Sequence, residues 1–367
     1  MREIMRVLMG WGAALGVALA GATVGQAQAL VQSIEPLPVN VGGRVIRDAD
    51  DGLRFGWPGV YFESRFNGAG VRVRFDAPGE YLRLLVDGEE KAAFRGAGRI
   101  DLALEDLAAG DHVVRLEKQS ESQTGGGRFL GFFPVGATTP LPAPARPRQI
   151  EFIGDSYTVG YGDLSTGRSC TPEEIHAWTD TQSAFGPRVA RRFDADYRIN
   201  AYSGYGVVRN YDGRHAGQSL PVLYPRLKPD DAATAAAGDE AWRPEFIVIN
   251  LGTNDFSTPL QAGEAWADEA GLRDAYRRRY VAFVQDLHRA QPQARFILMG
   301  SESFGGDVEQ VAAVVNAQTP GLTTPVRFAG LDLQACDWHP SQADHARMAK
   351  LVEDMITTVD GDWRAAP

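Results

Sequence analysis

The sequence predicts two domains in series: an all-β sandwich or jelly roll, then a three-layer α/β domain with a parallel sheet. Three observations carry this. Residues 30–137 fall into short runs broken by turn dipeptides, residues 138–147 are crowded with proline, and beyond them short apolar strands alternate with helical stretches. A length of 367 residues has room for both domains.

Residues 1–29 stand apart from that fold. Arg2 and Arg6 supply a positive start, residues 7–24 are apolar and small, and Ala27-Gln28-Ala29 has the small-x-small form of a cleavage site. This predicts a signal peptide removed before Leu30 and a secreted or periplasmic protein; an uncleaved anchor is the alternative. No later stretch approaches the roughly 20 apolar residues that span a bilayer, so no membrane partner is expected after cleavage.

In the first domain, Val71-Arg72-Val73-Arg74-Phe75 alternates apolar and polar residues, as Tyr81 to Val86 does in part. Val113-Val114-Arg115-Leu116 follows, and Asn67-Gly68, Pro78-Gly79 and Asp87-Gly88 mark turns. No 3.6-residue period persists over a dozen positions, which favours an all-β fold. The proline-rich stretch 138–147 reads as a semi-rigid connector.

In the second domain, which begins at residue 148, apolar strands are expected at 150–153, 197–199, 246–251, 296–299 and 326–329. Leu272, Tyr276, Tyr280, Phe283, Val284 and Leu287 share one helical face, and a last helix is expected over 343–359. Strands alternating with helices give a parallel sheet covered on both faces, whose ligands sit beyond the carboxyl ends of its strands.

Composition narrows the chemistry. Thirty-seven Lys and Arg against 47 Asp and Glu give a formal charge of −10, without the basic footprint that a nucleic-acid partner requires. The two cysteines form no CxxC, and no His/Cys spacing suggests a metal.

Four motifs follow strands or precede the last helix. Gly154-Asp155-Ser156 places a serine where a helix opens, although an N-capping serine has the same look. Ser203-Gly204-Tyr205-Gly206 lets a backbone N–H approach a ligand, or is a plain turn. Gly252-Thr253-Asn254-Asp255 offers a side-chain amide to a developing negative charge, or an Asn that holds a turn. Asp337-Trp338-His339-Pro340 offers a base and an aromatic wall, or a structural histidine. Together and in this order they suit acyl transfer better than any one does alone.

The arrangement resembles the SGNH (GDSL-type) hydrolases. By that resemblance Ser156 is the nucleophile and His339 the base, while the N–H groups of Ser156 and Gly204 and the Asn254 amide form the oxyanion hole. The segments ending in Ser156, Tyr211, Asp255 and Pro340, with Gly56-Trp57-Pro58-Gly59, Val86-Asp87-Gly88 and Gly110-Asp111-His112 before them, resemble carbohydrate esterase family 2. That family places a jelly roll before its SGNH domain, needs no cofactor, and removes O-acetyl groups from polysaccharides such as xylan and glucomannan.

The resemblance implies an exported acetylesterase, with a lipid esterase or thioesterase and an inert carbohydrate-binding protein as the alternatives. Tyr205 and Trp338 are expected to contact sugar. Cys170 and Cys336, both near the sheet's carboxyl edge in an oxidising compartment, are expected to form a disulfide, two free thiols being the alternative. In an extended segment Asp337 and His339 face the same side, so Asp337 is expected to orient the imidazole; a backbone carbonyl is the other means.

Overall fold

The computed structural model describes residues 35–121, 125–234, 239–361 and 363. The expected signal peptide lies outside the described residues. From Glu35 onward the two domains pack as one unit.

The first domain is a nine-stranded antiparallel sheet. Its strands are β1 (Asn40–Gly42), β2 (Val45–Arg47), β3 (Leu53–Phe55), β4 (Tyr61–Gly68), β5 (Val71–Val86), β6 (Glu89–Leu104), β7 (Gly110–Lys118), β8 (Gly127–Pro134) and β9 (Thr139–Leu141). β5 joins two runs that the sequence suggested separately. It pairs with β8 through its first half and with β7 through its second, and a register shift lies between Pro78 and Tyr81. The sheet closes around Phe55, Phe62, Phe66, Phe75, Phe129 and Phe132, all buried. β6 went unanticipated because Phe94 is its one buried residue in sixteen, and glycines and charged residues fill much of the rest.

The proline-rich connector is partly sheet. Thr139–Leu141 pairs with β4, continuing the edge that β1 begins, and Pro140 is accepted because an edge strand needs only one row of donors.

The second domain carries a five-stranded parallel sheet in the order β11-β10-β12-β13-β14: β10 (Arg148–Gly154), β11 (Ala195–Ala201), β12 (Phe246–Asn250), β13 (Arg295–Gly300) and β14 (Thr323–Arg327). β14 starts before the apolar run 326–329, and Pro325 is tolerated on this edge strand. The helices are α1 (Ser156–Val159), α2 (Pro172–Trp178), α3 (Phe185–Arg192), α4 (Leu220–Leu223), α5 (Thr253–Phe256), α6 (Glu269–Ala290), α7 (Gly305–Gln318) and α8 (Gln342–Val359). α3 and α8 pack together on one face of the sheet, α6 and α7 on the other. The six residues expected on one face of α6 are its buried residues.

The domains are joined through polar groups at the β11 edge. Tyr61 donates to Asp196 at 2.5 Å, Arg83 pairs with Asp180 at 3.0 Å, and Arg146 bridges Glu63 and Asp196. Trp57 and Tyr61 of the first domain are buried in the second domain's core.

Candidate active site

The site lies at the carboxyl ends of β10, β11 and β12, where a parallel sheet leaves its crevice. β10 ends at Gly154, where a side chain would collide with Thr158 and the Asn250 carbonyl. Asp155 then caps α1 by accepting from the Tyr157 N–H at 3.0 Å. Ser156 is therefore the first helical residue and not the cap, so its hydroxyl is free for another partner.

That partner is His339. Its Nε2 lies 2.8 Å from Ser156 Oγ, and its Nδ1 lies 2.9 Å from the Cys336 carbonyl oxygen and 3.1 Å from that of Asp337. Tyr161 packs against the imidazole with ring centres 4.3 Å apart, and Tyr157 meets it edge-on at 5.6 Å. Burial lowers the His339 pKa from its ordinary value, with the carbonyls and Asp337 opposing that shift. A neutral imidazole hydrogen-bonded to a serine hydroxyl is equipped to take its proton.

The Asp337 carboxylate, expected to orient His339, has a different partner in the structure. Its Oδ2 accepts from the Tyr161 hydroxyl at 3.3 Å, and main-chain oxygens hold the ring. The segment is not extended: Asp337 and Trp338 have φ of 50° and 58°, so the alternation that would align residues 337 and 339 is lost. Two successive non-glycine residues in this region cost about 1–3 kcal/mol each, so the surroundings must impose them. Cys170 and Cys336 are joined in a disulfide, the Asp337 N–H donates to the Arg168 carbonyl at 2.8 Å, and the Cys336 N–H donates to Ser165 Oγ at 2.9 Å. The turn leaves Trp338 61% exposed, with Arg168 over its ring.

Gly204 follows β11 with a φ of 86°, which favours glycine, and a Cβ there would meet open space. Among the described residues, the N–H groups of Ser156 and Gly204 carry no hydrogen bond. Asn254 Nδ2 lies 3.0 Å from the Tyr205 carbonyl oxygen and 3.3 Å from Asp155 Oδ2. Tyr205 is half-buried and packs on Tyr202.

Two carboxylates that the motifs contained, but to which no role was given, bind the blocks together. Asp255 accepts from the N–H groups of Val207, Val208 and Arg209 at 2.9, 2.9 and 3.0 Å, which ties the Asn254 turn to the Gly204 turn. Asp155 joins the Ser156 turn to Asn254. Burial pushes Asp155 up to about 7 and Asp255 up to about 6. Acidic residues in the short turns that follow apolar strands were the available signal. Among the described residues, no group of His, Cys, Asp or Glu side chains could hold a metal ion, and no helix is long and apolar enough to cross a membrane.

Residues 152–355 match the GDSL-like lipase/acylhydrolase family, and residues 41–144 match the carbohydrate esterase 2 N-terminal family. A curated relative, the acetylxylan esterase / glucomannan deacetylase of Cellvibrio japonicus (strain Ueda107), is 42% identical over 355 residues, 94% of this chain and 98% of its own. The chain belongs to carbohydrate esterase family 2. A solved carbohydrate esterase, whose active site is described as having divergent catalytic and non-catalytic binding functions, matches with a TM-score of 0.84 and 40% identity, over 90% of this chain and 100% of its own. A family two carbohydrate esterase from Clostridium thermocellum, in complex with cellohexaose, matches with a TM-score of 0.76 and 28% identity, over 89% and 99%. As a member of this family the chain is a carboxylic ester hydrolase.

Proposed function

We propose that this esterase removes O-acetyl groups from plant cell-wall polysaccharides such as xylan and glucomannan, or from their oligosaccharides, after export to the periplasm or medium. The observation that carries the reading is the 2.8 Å contact between His339 Nε2 and Ser156 Oγ, in a chain 42% identical to an acetylxylan esterase / glucomannan deacetylase.

Ser156 Oγ attacks the acetyl carbonyl carbon while His339 Nε2 takes its proton. The oxyanion that forms accepts from the N–H groups of Ser156 and Gly204 and from Asn254 Nδ2, whose 3.3 Å contact to Asp155 is long enough to yield to a stronger acceptor. As the ester C–O bond breaks, His339 returns the proton to the sugar oxygen and leaves acetyl-Ser156. Water then attacks, His339 takes its proton, and acetate departs as Ser156 regains its hydrogen. The carbonyls of Cys336 and Asp337 hold Nδ1–H throughout, so Ser156 and His339 work as a dyad. Trp338 and Tyr205 offer faces on which sugar rings stack.

A cleft of about 320 Å³ beside Tyr157 and Thr253 bears on the lipid-esterase alternative. Ser301, Glu302 and Ser303 line one part of it and Phe328, Leu331 and Leu333 another, so its lining is mixed and the preferred acyl length is read from turnover. The test is hydrolysis of p-nitrophenyl esters of increasing length. Rapid turnover of acetate that fades beyond butyrate supports the acetylesterase. Preference for long chains favours a lipid esterase, and no turnover favours a binding protein.

A further inference from the structure

The turn that presents Gly204 is pinned from two domains. Most of its hydrogen bonds stay within the second domain: the Tyr202 N–H donates to the Gly154 carbonyl, the Tyr205 N–H to that of Tyr202, and the Gly206 N–H to Asn210 Oδ1. The Ser203 N–H, one residue before Gly204, donates at 2.6 Å to Oε1 of Glu121. Glu121 follows β7 of the first domain, 82 residues away in sequence.

The chain leading to Glu121 is fixed by unusual means. Lys118 and Glu80, 1% and 2% exposed, form a buried pair at 3.2 Å. Lys118 Nζ also donates to the Ser120 carbonyl at 2.9 Å, and Ser120 Oγ donates to Glu80 Oε2 at 2.7 Å. Taking such a pair out of water is costly, and it holds only where its partners are held too. Gln119 is tied on both sides, its N–H to the Tyr81 carbonyl and its carbonyl to the Thr181 N–H of the second domain. A line of contacts thus runs from Glu80 and Lys118 through Ser120 and Glu121 to Ser203 and Gly204. The Glu121 carboxylate also acts on the aromatic groups of the site: burial first, and its charge among the causes after it, raises the Tyr161, Tyr202 and Tyr205 hydroxyls above their ordinary pKa.

We propose that Glu121 is a positioning residue of the hydrolase, which holds the Ser203–Gly204 turn so that the Gly204 N–H meets the oxyanion, and through which the N-terminal domain becomes part of the active site. The proposal rests on the acyl-transfer reading above. A displaced oxyanion donor lowers the rate of the chemical step more than substrate binding, because the donor's work is done in the transition state. A small misplacement of this kind is worth as much as about 100-fold.

The test uses Glu121→Asp, Glu121→Gln and Ser156→Ala in the full chain, with p-nitrophenyl acetate as substrate. Glu121→Asp keeps the charge but withdraws the acceptor by one methylene, and it is expected to lower kcat about 10- to 100-fold with KM within twofold. Glu121→Gln keeps an acceptor at full reach and is expected to stay within threefold of the parent kcat. Wild-type kcat in Glu121→Asp, an equal loss in Glu121→Gln, or a loss confined to KM overturns the proposal while leaving the dyad intact. Activity in Ser156→Ala overturns the underlying reading whatever the Glu121 variants do.

Discussion

The carbonyl oxygen of Cys336 lies 2.9 Å from Nδ1 of His339, while the sulfur of the same cysteine is bonded to Cys170. One residue thus anchors the base to the loop after the nucleophile helix and fixes the tautomer that leaves Nε2 facing Ser156. The bridge closes a sequence separation of 166 residues, which the chain-entropy model values at about 5 kcal/mol, an upper figure for a real protein. Replacing both cysteines by serine should lower the melting temperature and also reduce kcat, because the strained turn at Asp337 and Trp338 loses its covalent tether. Calorimetry and steady-state kinetics on the double variant check both. Unchanged kcat would mean that the hydrogen bonds of the turn suffice to hold His339.

Asp337→Asn should cost less than about fivefold in kcat, since the carboxylate contacts Tyr161 and takes no part in the proton path. Where an aspartate does hold the histidine, the same change costs about 10⁴-fold. The gap between those figures makes a single kinetic measurement decisive.

Ser156→Ala should abolish acetate release with the far-UV spectrum and melting temperature nearly unchanged, because the hydroxyl's partner is His339 and Asp155 remains as the helix cap. Asn254→Ala should lower kcat by roughly 100- to 1,000-fold with a smaller effect on KM, the loss expected for one oxyanion donor. Wild-type kcat in Asn254→Ala would remove Asn254 from the oxyanion hole.

The pH profile follows from the burial of His339. Its neutral form is the active base, and burial disfavours the charged form, so the base stays neutral to lower pH than an exposed histidine would. The acid limb of kcat/KM should therefore have its midpoint below the ordinary histidine pKa of about 6.5. A midpoint above that value would point to a carboxylate stabilising the imidazolium.

Much of the site was legible because its residues lie where local pattern is strong. Ser156, Gly204 and Asn254 each follow an apolar strand, and a parallel sheet gathers such ends at one edge. The buried face of α6 was legible for a similar reason, since a 3.6-residue period is written in consecutive residues. The orientation of Asp337 was not. Its left-handed backbone is imposed by Arg168, Ser165 and Cys170, more than 160 residues away, and an extended reading of the same four letters is locally as reasonable. Glu121 was hidden in the same way, since its partner Ser203 belongs to the other domain. Thr139–Leu141 looked like a connector because proline weakens a strand, and only the open edge of β4 makes it one.

The most direct test of polysaccharide deacetylation at Ser156 is NMR of acetylated xylan and acetylated glucomannan before and after treatment with the wild-type chain and with Ser156→Ala. Acetyl signals are expected to disappear under the wild-type chain with a matching appearance of free acetate, and to stay intact under the variant. Persistence of every acetyl signal under the wild-type chain, while long-chain p-nitrophenyl esters are cleaved, would contradict that function.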